Sequence, residues 1–347
     1  MPLRVVQWTT GNVGRRALRA ILGHPELELV GVFAHSHEKV GRDAAELCGH
    51  EAATGVIATA DVDALLALRA DACSYNPMFP DLDVVCRLLQ TGVNVCSTAG
   101  FIDGSSLDEE AHQRLTDAAR RGGSTMFGTG VNPGFANLFG LVCAQICDRV
   151  DRIRVLESVD ASAYDAKDTQ ESVGFAHPLD TPGLVDRTRA GSTVFAEAVA
   201  MMADGLGVDL DEIVFDAEYA PATADTDLGF MVIPVGTVAA IDGRWRGRVG
   251  GHDLIVLNYQ WIMGPNVDAP FAVRHGYFVE VDGEPGVRAQ FQIVPPGDWS
   301  EPGYMGLGMI MTAMPSVNAI PAVVAAPPGI ATHLTLPLVT ARGFVRP

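Results

Sequence analysis

Short apolar runs alternate with amphipathic stretches from residue 4 to about residue 134. Arg4–Trp8 (RVVQW) reads as a buried strand, and Ala17, Leu18, Ile21 and Leu22 recur at helical spacing across Arg15–Leu22. Leu27–Ala34 predicts a second strand and Val56–Thr59 a weaker third. A helix over Asp61–Leu68 follows, with Asp61 as its N-cap. Ala72–Tyr75 and Val93–Thr98 read as strands flanking a helix at Leu82–Gln90. Asp108–Arg121 is acidic at its start and basic at its end, as a helix dipole favours. Ser124–Phe127 returns as a strand. Such alternation predicts right-handed crossovers and an α/β, Rossmann-type, doubly wound parallel sheet.

The texture changes after about Asn137. Leu138–Ile146 reads as a buried helix, Arg152–Asp160 as a half-exposed strand and Thr193–Gly205 as a helix. Val214–Glu218, Thr237–Ile241, Leu254–Gln260, Tyr277–Val281 and Val287–Ile293 predict further strands, with Asp242-Gly243 and Asp282-Gly283 as hairpin turns. The expectation is a second α+β domain with a largely antiparallel, open-faced sheet. The domain boundaries read as 1–136 for the first domain and 137–311 for the second, with 312–347 packing back on the first. From Pro302 to Ala341 there is no Asp, Glu, Lys or Arg, a stretch longer than the ~20 residues that span a bilayer. Pro315, Pro321, Pro327 and Pro328, with Gly303, Gly306, Gly308 and Gly329, read as interrupting any single helix there. A segment helical near Val317–Ala326 and buried at an interface is expected, not a membrane span.

Composition sharpens this picture. A chain of 347 residues, 48% hydrophobic, can bury two cores. Its 42 acidic and 24 basic side chains give a net charge of −18, a field that repels phosphate backbones and anionic lipid surfaces. Neither nucleic acid nor membrane is expected as a partner, whereas a small anionic cofactor held by local cations and N–H groups is compatible. The six cysteines form no CxxC pair and no zinc-ligand set. Most lie in apolar runs and read as reduced core thiols. With no leader-like segment before the first strand, a soluble cytoplasmic protein is expected.

The first strand runs into Thr9-Thr10-Gly11-Asn12-Val13-Gly14, followed by the helix beginning at Arg15. A strand, a tight turn and a helix N-terminus form an anion site suited to a pyrophosphate. Gly11 permits close approach of the phosphates and Gly14 close packing of helix on sheet. Thr9 stands where the first glycine of GxGxxG usually does, so the motif is a variant. At the end of the second strand an NAD site carries Asp or Glu, about 20 residues after the turn, to bind the ribose 2′-OH. Here the residues are Ala34-His35-Ser36-His37, with Lys39 and Arg42 beyond, and the first carboxylate is Glu38. A hydroxyl, an imidazole and cations, with Arg15 from the helix, suit a 2′-phosphate. NADP is therefore favoured over NAD.

Several segments resemble the dihydrodipicolinate reductase-like superfamily, in the branch of diaminopentanoate dehydrogenase and the native amine dehydrogenases. They are Trp8–Gly14, Lys39-Val40-Gly41-Arg42-Asp43-Ala44, Gly92-Val93-Asn94-Val95 and Gly128-Thr129-Gly130-Val131-Asn132-Pro133-Gly134-Phe135, with Pro315–Pro321 and Pro328-Gly329-Ile330. The resemblance implies NAD(P)H-dependent reduction of a C=N bond, or of a ketone with ammonia, or the reverse oxidation of an amine or amino acid. It also implies a homodimer acting on a small-molecule substrate. By the family pattern Asn76, Pro77, Thr98, Ala99 and Asn132 line the nicotinamide, and the carboxyl ends of parallel strands are where ligands bind in open α/β sheets. For Asn132 a loop-capping role is an equal alternative.

Two departures matter. The paired histidines and lysine of true dihydrodipicolinate reductases are missing; the nearest stretch is Ser162–Thr169, with Lys167 alone. The glutamate that the amine dehydrogenases carry after the fourth-strand region is replaced by Gly100-Phe101-Ile102-Asp103. Asp103 is the nearest carboxylate, either catalytic or merely opening the turn at Gly104-Ser105-Ser106. Tyr164 and His177 are further candidates for handling a proton at the substrate nitrogen, against ordinary loop polarity. Trp245, Trp261, Trp299, Phe271 and Tyr304 either shape an apolar cavity or fill the second core. No metal-ligand spacing and no GxSxG is present. Two other functions stay open: a carbonyl or alcohol oxidoreductase on the same scaffold, and a catalytically silent NADP(H)-binding sensor.

Overall fold

The computed structural model describes residues 1–301 and 305–345; Pro302, Gly303 and Tyr304, the last named above among the aromatic candidates, lie outside the described residues. The chain divides into two compact units, Met1–Phe135 with Gly308–Pro347, and Ala136–Leu307.

The first unit runs β1 (Leu3–Trp8), α1 (Asn12–Gly23), β2 (Leu27–Phe33), α2 (Ala44–Cys48), α3 (Val62–Ala67), β3 (Ala72–Tyr75), α4 (Leu82–Gln90), β4 (Asn94–Ser97), α5 (Glu109–Gly122) and β5 (Thr125–Gly128). Its six strands are all parallel, in the order β14-β5-β4-β3-β1-β2, where β14 is Gly329–Ala331 near the other end of the chain. The order reverses between β1 and β3, the doubly wound pattern the alternation predicts. Successive β1 residues face opposite sides. Val5 packs with Ala17, Leu18 and Ile21 of α1, and Val6 packs with Leu65, Val85, Leu89 and Leu115 from the opposite helices. Full burial of such side chains contributes about 1.5–3 kcal/mol each. Asp61, Asp81 and Asp108 cap α3, α4 and α5 through side-chain bonds to first-turn N–H groups, each worth about 1 kcal/mol.

The second unit runs α6 (Ala136–Ala144), β6 (Arg149–Asp160), α7 (Lys167–Ser172), α8 (Leu184–Gly191), α9 (Val194–Leu206), β7 (Glu212–Pro221), β8 (Thr226–Asp227), β9 (Val232–Ile233), β10 (Val238–Val249), β11 (His252–Ile262), β12 (Gly276–Glu284) and β13 (Val287–Phe291). Six strands form a mixed, largely antiparallel sheet, β13-β12-β6-β11-β10-β7, in which only β11 and β6 run parallel. Trp245 is buried in this unit and donates from Nε1 to Ser192 Oγ at 3.0 Å.

Several expectations need correction. Asp242-Gly243 is not a turn but lies inside β10, opposite Gln260 and Tyr259. A Cβ on Gly243 would stand 2.2 Å from the Tyr259 ring, so the glycine makes room for the aromatic. The hairpin turns instead at Gly250-Gly251, both at positive φ. Likewise Asp282-Gly283 lies within β12 at a register shift, with the reversal following at Pro285-Gly286. Val56–Thr59 forms no strand and makes isolated bridges, Ile57 to Asp43 and Thr59 to Phe33 at the end of β2. The first helix after Asn137 is less buried than its composition implies, since Val142 and Ile146 are half-exposed or more.

Pro315 and Pro321 do not break the late apolar segment. Both lie inside α10 (Met305–Val324), long and apolar enough by length and composition to cross a membrane. Ala313, Val317, Ala319, Ile320 and Val323 of α10 are fully buried in the first unit's core beside Leu18 and Ile21. Tertiary packing of this stripe holds the helix through two missing N–H donors.

Candidate functional site

The first unit gathers its polar side chains at the carboxyl edge of its sheet. β1 ends at Trp8, and Thr9 turns the chain at φ +69°, a left-handed conformation that a β-branched residue adopts at a cost of about 1–2 kcal/mol. Two bonds hold it there: Thr9 Oγ1 donates to the Asn76 carbonyl at 2.7 Å, and the Thr9 carbonyl accepts from Gln7 Nε2 at 2.9 Å. The threonine in the position of the usual glycine thus keeps the glycine conformation.

Gly11 then caps α1 with no side-chain hydrogen bond, and an added Cβ would meet nothing within 4 Å. Gly11 thus leaves open room beside the start of the helix. At Gly14 the opposite holds: a Cβ would stand 2.5 Å from the Thr9 carbonyl, so only glycine lets the helix start lie on the turn. Thr10 is buried and its hydroxyl has no hydrogen-bond partner among the described residues. Open space at Gly11, the helix start beside it and the Thr10 hydroxyl together fit a pyrophosphate. Asn12, Val13 and Arg15 occupy the first turn of this helix, Arg15 with its side chain exposed.

Beyond β2, His35 is exposed and Ser36 half-buried, and the ammonium of Lys39 donates to the Thr10 carbonyl at 3.0 Å. Lys39 thus joins this loop to the phosphate turn. The Asp43 carboxylate is committed elsewhere. It accepts from the N–H groups of Ala45, Thr54 and Gly55 and from the Thr54 hydroxyl, and these bonds, led by that from Ala45, hold its pKa down to about 2.

Asn76, just past β3, is the hub of the edge. Its Oδ1 accepts from Gln7 Nε2 at 2.8 Å and Ser74 Oγ at 3.0 Å, and its Nδ2 donates to Thr98 Oγ1 at 2.9 Å. Gln7 and Ser74 are fully buried. Pro77 follows half-buried, and Ala99 donates its N–H to Ser97 Oγ at 2.9 Å. Thr9, Asn76 and Thr98 are therefore joined through neutral groups. Under them, Trp8 stacks on Phe33 with centroids 4.3 Å apart.

At β5 a Cβ on Gly128 would stand 2.2 Å from the Gly100 carbonyl and 2.3 Å from that of Phe101. That close approach explains the first glycine of the GTGVNPGF block. Asn132 lies half-buried in the irregular Val131–Phe135 segment that follows. Asp103 lies between β4 and α5, its Oδ1 accepting from the N–H and hydroxyl of Ser105 at 2.8 and 2.6 Å. The turn-opening role is thus present, on one carboxylate oxygen.

Tyr164 and His177 belong to the second unit. Tyr164 is half-buried, desolvation raises its phenol pKa, and its carbonyl accepts from the Ala166 N–H at 2.8 Å. His177 is half-buried, with its backbone bonded to Val238 and Gly174. Sequence reasoning missed Gln7, Ser74 and His333. The signal for Gln7 was a lone polar residue inside the apolar strand RVVQW. His333 gave a weaker one, an imidazole in a stretch without charges; its Nε2 is 2.8 Å from Thr129 Oγ1.

Strand order and the turn at Gly11–Gly14 define the class as a two-unit protein with a Rossmann-type first unit. The chain belongs to the 2,4-diaminopentanoate dehydrogenase family, whose C-terminal domain matches residues 137–343. It is 32% identical to an amine dehydrogenase of Streptomyces virginiae over 98% of both chains. To the 2,4-diaminopentanoate dehydrogenase of Acetoanaerobium sticklandii it is 25% identical over 74% of this chain and 70% of that one. The amine dehydrogenase of Mycobacterium smegmatis has the same fold, with a TM-score of 0.79 at 20% identity, over 99% of this chain and 98% of that one.

Proposed function

We propose that the protein is an NADP(H)-dependent amine dehydrogenase, interconverting a primary amine with a ketone and ammonia through the imine, as a cytoplasmic homodimer. The observation that carries this reading is the end-to-end likeness to the Streptomyces virginiae amine dehydrogenase. The phosphate turn supports the cofactor class. The choice of NADP rests on Lys39, Ser36, His35 and Arg15 around an edge where Asp43 is fully occupied by its own hydrogen bonds.

When bound, the cofactor supplies or accepts the hydride. The chain's own residues do the rest. Thr10, Gly11, Asn12, Val13 and Gly14 bind the pyrophosphate with backbone N–H groups and the Thr10 hydroxyl. Asn76, Pro77, Thr98, Ala99 and Asn132 orient the nicotinamide end with neutral contacts, which avoid repelling the positive charge of an iminium nitrogen. Asp103, Tyr164 and His177 are the candidates for holding or moving the proton at that nitrogen.

The test is a fluorescence titration with NADPH and NADH, followed by a screen of ketones with ammonia. Tighter binding of NADPH, with its consumption dependent on both ketone and ammonia, is expected. Consumption without ammonia would make the protein a carbonyl reductase, and binding of neither nucleotide would end the proposal.

A further inference from the structure

β14 pairs with β5 in parallel, Gly329 opposite Thr125 and Ala331 opposite Phe127. Two residues further along each strand direction stand His333 and Thr129, and their side chains meet, Nε2 to Oγ1, at 2.8 Å. Two contacts hold the imidazole, and a turn holds its chain neighbours. Its ring meets Phe127 edge-on at 5.1 Å. A tight turn ties its neighbours, Thr332 N–H to Thr335 Oγ1 at 2.9 Å and Leu334 N–H to Thr332 Oγ1 at 3.2 Å. Burial alone holds its pKa down to about 4, so at neutral pH the ring is uncharged.

Thr129 in turn is the floor of the segment that carries Asn132. It is 2% exposed, and its N–H donates to the Ser97 carbonyl at 2.9 Å. Gly134, at φ +134°, lies so close that a Cβ there would stand 2.6 Å from Thr129 Oγ1. The segment folds back on the hydroxyl that His333 holds, and Phe135 N–H closes it on the Gly130 carbonyl at 2.9 Å.

We propose that His333 is a positioning residue: by holding the Thr129 hydroxyl, it fixes the Gly130–Phe135 segment and so sets where Asn132 meets the nicotinamide. This rests on the reading that the nicotinamide lies at this edge. His333 touches neither cofactor nor substrate in this role; it acts through Thr129.

The test is a double-mutant cycle on the full-length protein with Thr129→Val, which keeps the shape of the side chain, His333→Leu and the double variant. His333→Gln serves as the conservative replacement. Amide hydrogen exchange across 128–136, NADPH titration and steady-state kinetics are the readouts. Each single change is expected to speed exchange in that segment and lower kcat about tenfold, with the double variant no worse than either single. Affinity for NADPH, set mainly at the phosphate turn, is expected to change less than about twofold. His333→Gln should recover part of both protection and kcat.

Losses that multiply in the double variant would overturn the proposal, as would unchanged exchange and kcat with only a lowered Tm. Failure of the wild-type protein to bind either nucleotide would defeat the role toward the nicotinamide together with the proposed function. The exchange cycle would then show separately whether the pair holds the segment.

Discussion

The two sheets of this chain solve polar burial in opposite ways. At the carboxyl edge of the first, Gln7, Ser74, Asn76 and Thr98 bond to one another and to backbone through neutral groups, and Thr129 pairs with the uncharged His333. On the second, Arg244, Arg246 and Arg248, alternating along β10, reach Asp216, Glu218, Asp242, Asp253 and Glu212 on the strand itself and its two neighbours. A neutral network holds its geometry across wide ranges of pH and salt and leaves the local field small. An ionic lattice is stiff only while every member is charged and paired. The edge proposed for hydride transfer uses the first device, and the sheet farther along the chain uses the second.

The largest effect on nucleotide binding tests the neutral edge by sterics. Gly14→Val should drive a side chain into the Thr9 carbonyl, moving the turn and reducing NADPH affinity by more than about a hundredfold, equivalent to about 2.7 kcal/mol. A titration with unchanged affinity would show that the turn is not what binds.

Next comes the ionic lattice. Asp242 is 7% exposed and accepts from Arg244, Asn258 and Gln260. Asp242→Ala should lower stability by about 4 kcal/mol, because three donors lose their acceptor. Arg248→Ala, at the more open end, should cost far less than Asp242→Ala, and less still in high salt. Equal losses in denaturant unfolding would erase the distinction between core and rim of the lattice.

A third measurement probes the one titratable group in the neutral network. His333 titrates near 4 when folded against 6.5 for the free side chain. Between those values the unfolded chain takes up a proton that the folded chain refuses, so stability falls as pH drops from 6.5 toward 4. The loss is at most about 3 kcal/mol, and His333→Gln should remove that part of the slope.

The smallest effect concerns nucleotide choice. Lys39→Ala should weaken NADPH about tenfold and leave NADH nearly unchanged, read in paired titrations. A parallel loss for both would assign Lys39 to holding Thr10 alone.

The first unit was legible because its signals are local. Period-2 and period-3.6 patterns marked β1 to β5 and the helices α1, α3, α4 and α5, but not the short α2, and they placed a strand at Val56–Thr59 where none forms. The strand-to-helix turn could be read from Gly11 and Gly14 and from its place after β1. The second unit misled where long-range packing overrides local chemistry. Asp242-Gly243 has turn composition, yet Tyr259 on the facing strand needs the space that Gly243 leaves. Pro315 and Pro321 are helix breakers whose cost is met by the buried face of α10. The Thr129–His333 pair was invisible for a simpler reason: its members are far apart in sequence and meet only through the pairing of β5 with β14.

That pairing has a consequence for biosynthesis. The sixth strand of the first sheet, and the buried face of α10 beneath it, come from residues that follow the whole of the second unit in the chain. The ribosome therefore finishes the second unit before the first can close, and β5 waits meanwhile as an uncovered strand edge, a template for wrong pairing. The first unit is a container whose lid is delivered last, so a ribosome stalled near residue 300 leaves five of its six strands with an open edge for chaperones or proteases to find.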